Sequence, residues 1–200
     1  SGAGGYDYTI RIWSLESKTC IGSLLGHSGN VFSICRISDN IFVSGSGDKT
    51  IKCWSLSDKS CLSTLEGHTK SVTSISKLND DSIISGSRDN SIKMWSLNSK
   101  SCLATESGHG EGINAICNLV DDIFICVSGD MTINALRFND KQFISSIRSH
   151  LDIVTAICKI TEDVFVTGSS DRILKIWSLS NNSCNDLLGH TDLISSICKM

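Results

Sequence analysis

What this chain of 200 residues lacks narrows its chemistry first. No apolar run is long enough to span a bilayer and no signal-peptide pattern is present, so no membrane partner is expected. No C-x-x-C pair occurs, which removes the usual zinc and thioredoxin-like signatures, and neither metal nor cofactor is expected. P-loop, His-Glu-x-x-His and dinucleotide fingerprints are missing, and so is a Gly-x-Ser-x-Gly elbow. These absences leave no catalytic residue to name. A net charge of -3 exerts no global pull on nucleic acid or on an anionic surface. No low-complexity tract or charge block divides the chain.

What the chain does have is a beat. Histidine recurs at His27, His68, His109, His150 and His190 in steps of 41, 41, 41 and 40, and aspartate at Asp7, Asp48, Asp89, Asp130 and Asp171 in steps of 41. Tryptophan keeps the same time at Trp13, Trp54, Trp95 and Trp177. A period of this length, with Gly-His and a Trp-bearing strand, is how a propeller of four-stranded blades reads in sequence. The chain is therefore expected to be one array over 1–200. Its segments fall near 1–25, 26–66, 67–107, 108–148 and 149–188, with 189–200 supplying an inner strand that completes a blade with the N-terminus. Residues 1–5 make a poor strand.

Two strands, 71–78 and 82–87, are expected between His68 and Asp89, joined by a turn at Asn79, Asp80 and Asp81. A strand of about 7 residues covers roughly 23 Å, so the chain descends and returns, and His68 meets Asp89 at one end. The next strand starts at Ser91 and carries Trp95. Across its hairpin Ser85 is expected opposite Trp95, and likewise Ser44 opposite Trp54 and Thr167 opposite Trp177. Imidazole, carboxylate, hydroxyl and indole then converge, each with a donor or acceptor that another can use. Three such quartets are complete: His27, Ser44, Asp48 and Trp54; His68, Ser85, Asp89 and Trp95; His150, Thr167, Asp171 and Trp177. The repeat of His109 keeps Asp130 but carries Cys126, Val127 and Leu136, so its network is expected to be broken.

These residues and spacings resemble the WD-repeat family along the whole chain. The resemblance implies an all-β WD40-type β-propeller of five repeats in which the quartet is a structural network. A closed five-bladed ring is favoured, and the alternative is part of a larger, for example seven-bladed, propeller. Trp is followed by Ser here (Trp54-Ser55, Trp95-Ser96) where the family has Asp, a departure outside the quartet. The repeat style, Trp95-Ser96-Leu97 leading to Lys100-Ser101-Cys102-Leu103, is most similar to propellers of F-box type ubiquitin-ligase substrate adaptors. That likeness implies arginines on one face that hold a phosphorylated degradation signal.

Eight of the ten cysteines sit at two repeat positions: Cys20, Cys61, Cys102 and Cys184 after the Trp strand, and Cys35, Cys117, Cys158 and Cys198 after the His. Equivalent positions spread round a ring miss the Cα spacing of about 4.4 to 6.8 Å that a disulfide needs. Reduced, buried thiols are expected, which favours a cytoplasmic or nuclear location.

Serine, histidine and aspartate within reach suggest a hydrolase, but such a triad is needed once and this one recurs. Function falls to loops and faces on a rigid scaffold. The expected role is a non-enzymatic platform for protein or peptide partners. Its finer versions are a phosphopeptide-type recognition module of a ubiquitin-ligase adaptor and a regulatory propeller fragment of a larger protein. The face marked by His and Asp, the upper one, carries the varied positions Lys49, Lys70, Arg88, Asn90, Met131 and Arg172. Of these, Lys49, Lys70, Arg88 and Arg172 suit an acidic or phosphorylated peptide. At the lower end Arg36, Lys77, Lys159 and Lys199 share one position, with Asn118 in the repeat of His109. Local ion pairing with acidic turns such as Asp80-Asp81 and Glu162-Asp163 is expected there.

Overall fold

Short apolar alternations and frequent turn residues produce strands. The computed structural model describes residues 7–107, 109–120, 123–137, 142–181 and 183–199, and among them are eighteen strands and no helix. β1 (Ile10–Trp13) and β2 (Cys20–Leu24) form a two-stranded antiparallel sheet. Four four-stranded sheets follow, each with its strands side by side in chain order. Sheet one is β3 (Val31–Arg36), β4 (Ile41–Ser46), β5 (Ile51–Ser55) and β6 (Ser60–Leu65). Sheet two is β7 (Val72–Lys77), β8 (Ser82–Ser87), β9 (Ser91–Ser96) and β10 (Ser101–Ser107). Sheet three is β11 (Ile113–Val120), β12 (Ile123–Ser128), β13 (Thr132–Arg137) and β14 (Gln142–Arg148). Sheet four is β15 (Val154–Lys159), β16 (Val164–Ser169), β17 (Leu174–Ser178) and β18 (Ser183–Leu187).

The strands expected at 71–78 and 82–87 are β7 and β8. The expectation for 1–5 lies outside the described residues. Residues 189–199 differ from expectation, since no strand is assigned there. A strand needs a ladder partner, and this segment instead bonds to sheet four through scattered groups. Ile194 N donates to Ser169 O at 3.2 Å, Thr155 Oγ1 donates to Ile194 O, and Lys199 Nζ donates to Ile160 O at 2.8 Å.

The chain forms two compact units, Ser1–Asp89 with Lys93–Thr105 and Asn90–Ile92 with Glu106–Met200. In the first, sheets one and two share a core of Val43, Ile51, Leu65, Val72, Ile75, Ile83 and Trp95. A second cluster joins Ile10 and Leu24 of the two-stranded sheet to Val31, Phe42 and Trp54. The second unit packs Leu119, Ile125, Val127, Ile133, Val154, Phe165 and Trp177. Gly45 shows how closely neighbouring sheets approach, because a Cβ there would lie 2.7 Å from Val72 Cγ1.

The hairpin register corrects one expectation. Ser44 pairs with Lys52 and Phe42 with Trp54, and Thr167 pairs with Lys175 and Phe165 with Trp177. The register is shifted by two residues because the hairpin centres on Asp48, whose neighbour Lys49 sits at φ 73. Ser46 N donates to Thr50 O at 3.2 Å and Lys49 N to Ser46 O at 3.1 Å, giving a three-residue loop that ends in a left-handed residue. The shift is an even number, so hydroxyl and indole stay on one face of the sheet and meet diagonally.

The lower basic row also departs in part from local pairing. Arg36 pairs with Asp39 and Lys77 with Asp80, the latter at 2.7 Å. Lys77, Lys159 and Lys199 donate to the carbonyls of Ile37, Leu119 and Ile160, each in the preceding repeat. These lysines tie one repeat to the next, while Asp163 accepts from Ser178 and Ser180.

Candidate functional site

Each complete quartet closes as one chain of hydrogen bonds. In sheet one Trp54 Nε1 donates to Ser44 Oγ at 2.8 Å, Ser44 Oγ lies 2.7 Å from His27 Nε2, and His27 Nδ1 lies 2.7 Å from Asp48. Sheet two repeats this with Trp95, Ser85, His68 and Asp89 at 2.8, 2.8 and 2.9 Å. Sheet four has Trp177, Thr167, His150 and Asp171, each step at 2.8 Å. The indole is donor only, so the hydroxyl proton points to Nε2 and Nδ1–H donates to the carboxylate. Each Asp also accepts from the amide after its histidine: Ser28 at 3.0, Thr69 at 2.8 and Leu151 at 2.9 Å. The loop before β3, β7 or β15 is thereby fastened to the turn of the same sheet. The glycine before His68, at φ 147, lets the loop cross the indole, with Trp95 Cη2 3.2 Å from a Cβ placed on Gly67.

Burial pushes the imidazoles of His27, His68 and His150 below their ordinary pKa, against the pull of their carboxylates. Lys52, Lys93 and Lys175 push the same way, and their ammonium groups are held by Thr64 at 2.8, Thr105 at 2.9 and Asp186 at 2.5 Å. Sequence reasoning missed these lysines, although Ile-Lys-x-Trp recurs visibly at Ile51-Lys52 and Ile92-Lys93. Burial acts to raise Asp48 and Asp171, yet hydrogen bonds from amide and imidazole groups, and for Asp48 also from the Thr50 hydroxyl, hold both below the usual carboxylate range. Ser44, Ser85 and Thr167 are fully buried. A substrate cannot reach such a nucleophile, so the quartets work as ties.

Sheet three is altered and not broken, which corrects the expectation. His109 Nδ1 lies 3.3 Å from both oxygens of Asp130 and 2.8 Å from Thr132 Oγ1, and Nε2 lies 3.0 Å from Cys126 Sγ. The thiol stands in for the hydroxyl, and only the indole link is gone because Leu136 has no donor. Cys126 is fully buried, and desolvation keeps its thiol protonated.

The expectation of buried thiols holds for Cys53 and Cys126 only. All ten cysteines are free, and Cys20, Cys61, Cys102 and Cys184 are exposed because they sit on the outermost strands, where no further strand covers them. The Sγ atoms of Cys20, Cys61 and Cys102 each lean on the carbonyl two residues on, as Cys61 does on Ser63 O at 3.4 Å.

At the upper end of the first unit, Arg88 lies over Phe32 with its guanidinium carbon 5.9 Å from the ring centroid. Phe32 is 46 % exposed and overlies Gly47, where a Cβ would lie 3.4 Å from Phe32 Cε2. Lys49 sits two residues along the same turn, and Lys70 is next to Ser71, whose carbonyl accepts from Arg88 N at 3.0 Å. The structure thus sets Arg88 over an aromatic ring that the sequence reading overlooked, while Lys49 and Lys70 lie on the adjoining turn and loop. The signal was present, since Phe32 replaces Thr73, Asn114 and Thr155 of the other repeats. Asn90, Met131 and Arg172 belong to the second unit and share with Lys49 a left-handed backbone, φ 67 to 73. Asn90 Nδ2 donates to Gly110 O at 3.1 Å, and Arg148 reaches Met131 Sδ at 3.5 Å.

Four stretches, 18–55, 59–96, 100–134 and 141–178, match the family described as WD domain, G-beta repeat. The chain belongs to the WD40 family. Each four-stranded sheet is a blade, and propellers of this family generally mediate protein–protein interactions and are typically non-enzymatic scaffolds. A solved structure titled "Structure of U3-55K" superposes with a TM-score of 0.81 at 21 % identity, over 86 % of this chain and 56 % of that one. The chain thus spans little more than half the length of that protein, and the likeness shows the fold.

Proposed function

We propose that this WD40 chain is a rigid platform that binds an extended peptide across its upper end, and that the peptide carries an acidic or phosphorylated side chain. The observation that carries this reading is Arg88 held over the partly exposed ring of Phe32, with Lys49 and Lys70 on the adjoining turn and loop. A guanidinium on an aromatic face keeps its donors free to form a fork to carboxylate or phosphate. The ring supplies apolar contact beside it. Recognition of this kind suits a substrate-recognition module, including that of a ubiquitin-ligase adaptor. The free thiols fit a cytoplasmic or nuclear site of action, which cell fractionation tests.

The test is binding of matched phosphorylated and unphosphorylated peptide arrays to the wild-type chain, Arg88→Ala, Phe32→Ala and Arg172→Ala. Arg88→Ala is expected to weaken the phosphorylated set about tenfold or more, and Arg172→Ala to leave it unchanged. Equal binding of both arrays, or no response to Arg88→Ala, contradicts the reading.

A further inference from the structure

The upper rim of the second unit has a different character. In every blade the loop after histidine is pinned by one backbone bond to the turn that follows the second strand. The carbonyls of Asn30, Ser71, Gly112 and Ile153 accept from Gly47, Arg88, Gly129 and Ser170 at 2.8, 3.0, 3.2 and 2.9 Å. The backbone fixes these loops whatever side chains they carry, and three of the four, Ser28-Gly29-Asn30, Thr69-Lys70-Ser71 and Gly110-Glu111-Gly112, carry no apolar side chain. The fourth reads Leu151-Asp152-Ile153, and the loop after His190 reads Thr191-Asp192-Leu193. Leu151 is 83 %, Ile153 40 % and Leu193 55 % exposed. The two loops are neighbours, because Ser170 N donates to Ile153 O at 2.9 Å and Ile194 N to the adjacent Ser169 O at 3.2 Å. Asp152 and Asp192 stand exposed on the same two loops, next in sequence to these aliphatic residues, each accepting from the next amide at 2.7 Å. Arg172 tops the turn, its amide donating to Ser169 O at 3.2 Å.

Single exposed aliphatics are ordinary, but several on two adjoining loops, one of them pinned by its backbone whatever side chains it carries, mark a contact surface. We infer that Leu151, Ile153 and Leu193, flanked by Asp152 and Asp192, form a docking surface for a peptide segment that carries an aliphatic side chain next to lysine or arginine. The aliphatic chain covers the three apolar groups and its basic neighbour meets the two carboxylates. Arg172 disfavours a basic residue at its own end, which fixes the direction of the segment. The surface is separate from the Phe32 and Arg88 site in residues and opposite in charge preference.

The test uses three short capped peptides, alternating leucine–lysine, leucine–glutamate and serine–lysine, titrated by fluorescence anisotropy against the folded chain. Leucine–lysine is expected to bind, with affinity that falls as salt is raised. Asp152→Asn with Asp192→Asn should weaken it several-fold at low salt, and Leu151→Ser with Leu193→Ser should abolish it while circular dichroism stays unchanged. Phe32→Ala and Arg88→Ala should leave it intact, which separates failure here from failure of the phosphopeptide reading. Equal binding of leucine–glutamate or of serine–lysine overturns the inference. So does sedimentation showing that Leu151→Ser with Leu193→Ser converts a dimer to a monomer, because the occupant is then a second copy.

Discussion

Blades two and three carry the same histidine and aspartate 21 positions apart, yet only blade two links them to a tryptophan. In blade two His68 lies 2.9 Å from Asp89 and the chain runs on through Ser85 to Trp95. In blade three the imidazole sits at 3.3 Å from Asp130, the carboxylate is more exposed, and a thiol ends the chain. The difference teaches that imidazole and carboxylate, with Thr132 and a thiol beside them, pin the loop without an indole, while in blade two hydroxyl and indole carry that tie into the blade's interior. Blade three survives the loss of the indole because Val127 and its neighbours fill a common apolar core with Val154 and Phe165.

The largest effect that breaks the comparison is expected from Trp95→Ala, which should cost about 3 to 5 kcal/mol in urea unfolding. No counterpart exists at Leu136, where truncation removes packing but no hydrogen bond. Next comes His68→Ala, which strands a buried hydroxyl and a nearly buried carboxylate and should cost about 2 to 4 kcal/mol. His109→Ala should cost roughly half that, since a thiol hydrogen-bonds weakly and Asp130 keeps some water. Equal losses at the two histidines would show that the interior link adds nothing. Hydrogen exchange read blade by blade should show β11 to β13 opening before β7 to β9, and uniform protection contradicts this.

Acid should act on both blades in the same direction, because burial lowers His68 and His109 alike. Histidines with a lowered folded pKa favour neutrality, so stability falls as pH drops below the ordinary 6.5, where the unfolded chain gains protons first. Aspartates with a lowered folded pKa add to the loss once pH falls below 3.8. Urea midpoints that decline from pH 7.5 to 5 fit this sign, and a rise on acidification contradicts it. The smallest effect is Arg88→Ala, which should change stability by no more than about 0.5 kcal/mol.

Most of the fold was legible in the sequence because a fixed period constrains every element at once. His68, Ser85, Asp89 and Trp95 were placed by spacing alone. The hairpin register was not, because Lys49, Asn90, Met131 and Arg172 occupy the left-handed position without any glycine or shared residue type to announce it. The lysine ties of Lys77, Lys159 and Lys199 were invisible for another reason: their acceptors are backbone carbonyls, which every residue owns. Exposed Cys61 and Cys102 were misjudged because a composition rule for cysteine knows nothing of which strand is outermost. Phe32 carries no charge to mark it as a contact residue, although its departure from threonine and asparagine at the same repeat position was readable.

The central claim is that the recurring quartet is a set of coupled ties, complete in blade two and shortened in blade three. A pair of double-mutant cycles tests it most directly, His68 with Trp95 in blade two and His109 with Leu136 in blade three, each residue replaced by alanine and unfolded in urea. Coupling of about 1 to 3 kcal/mol in blade two with values near zero in blade three is the expected result. Equal coupling in both blades, or none in blade two, contradicts the account.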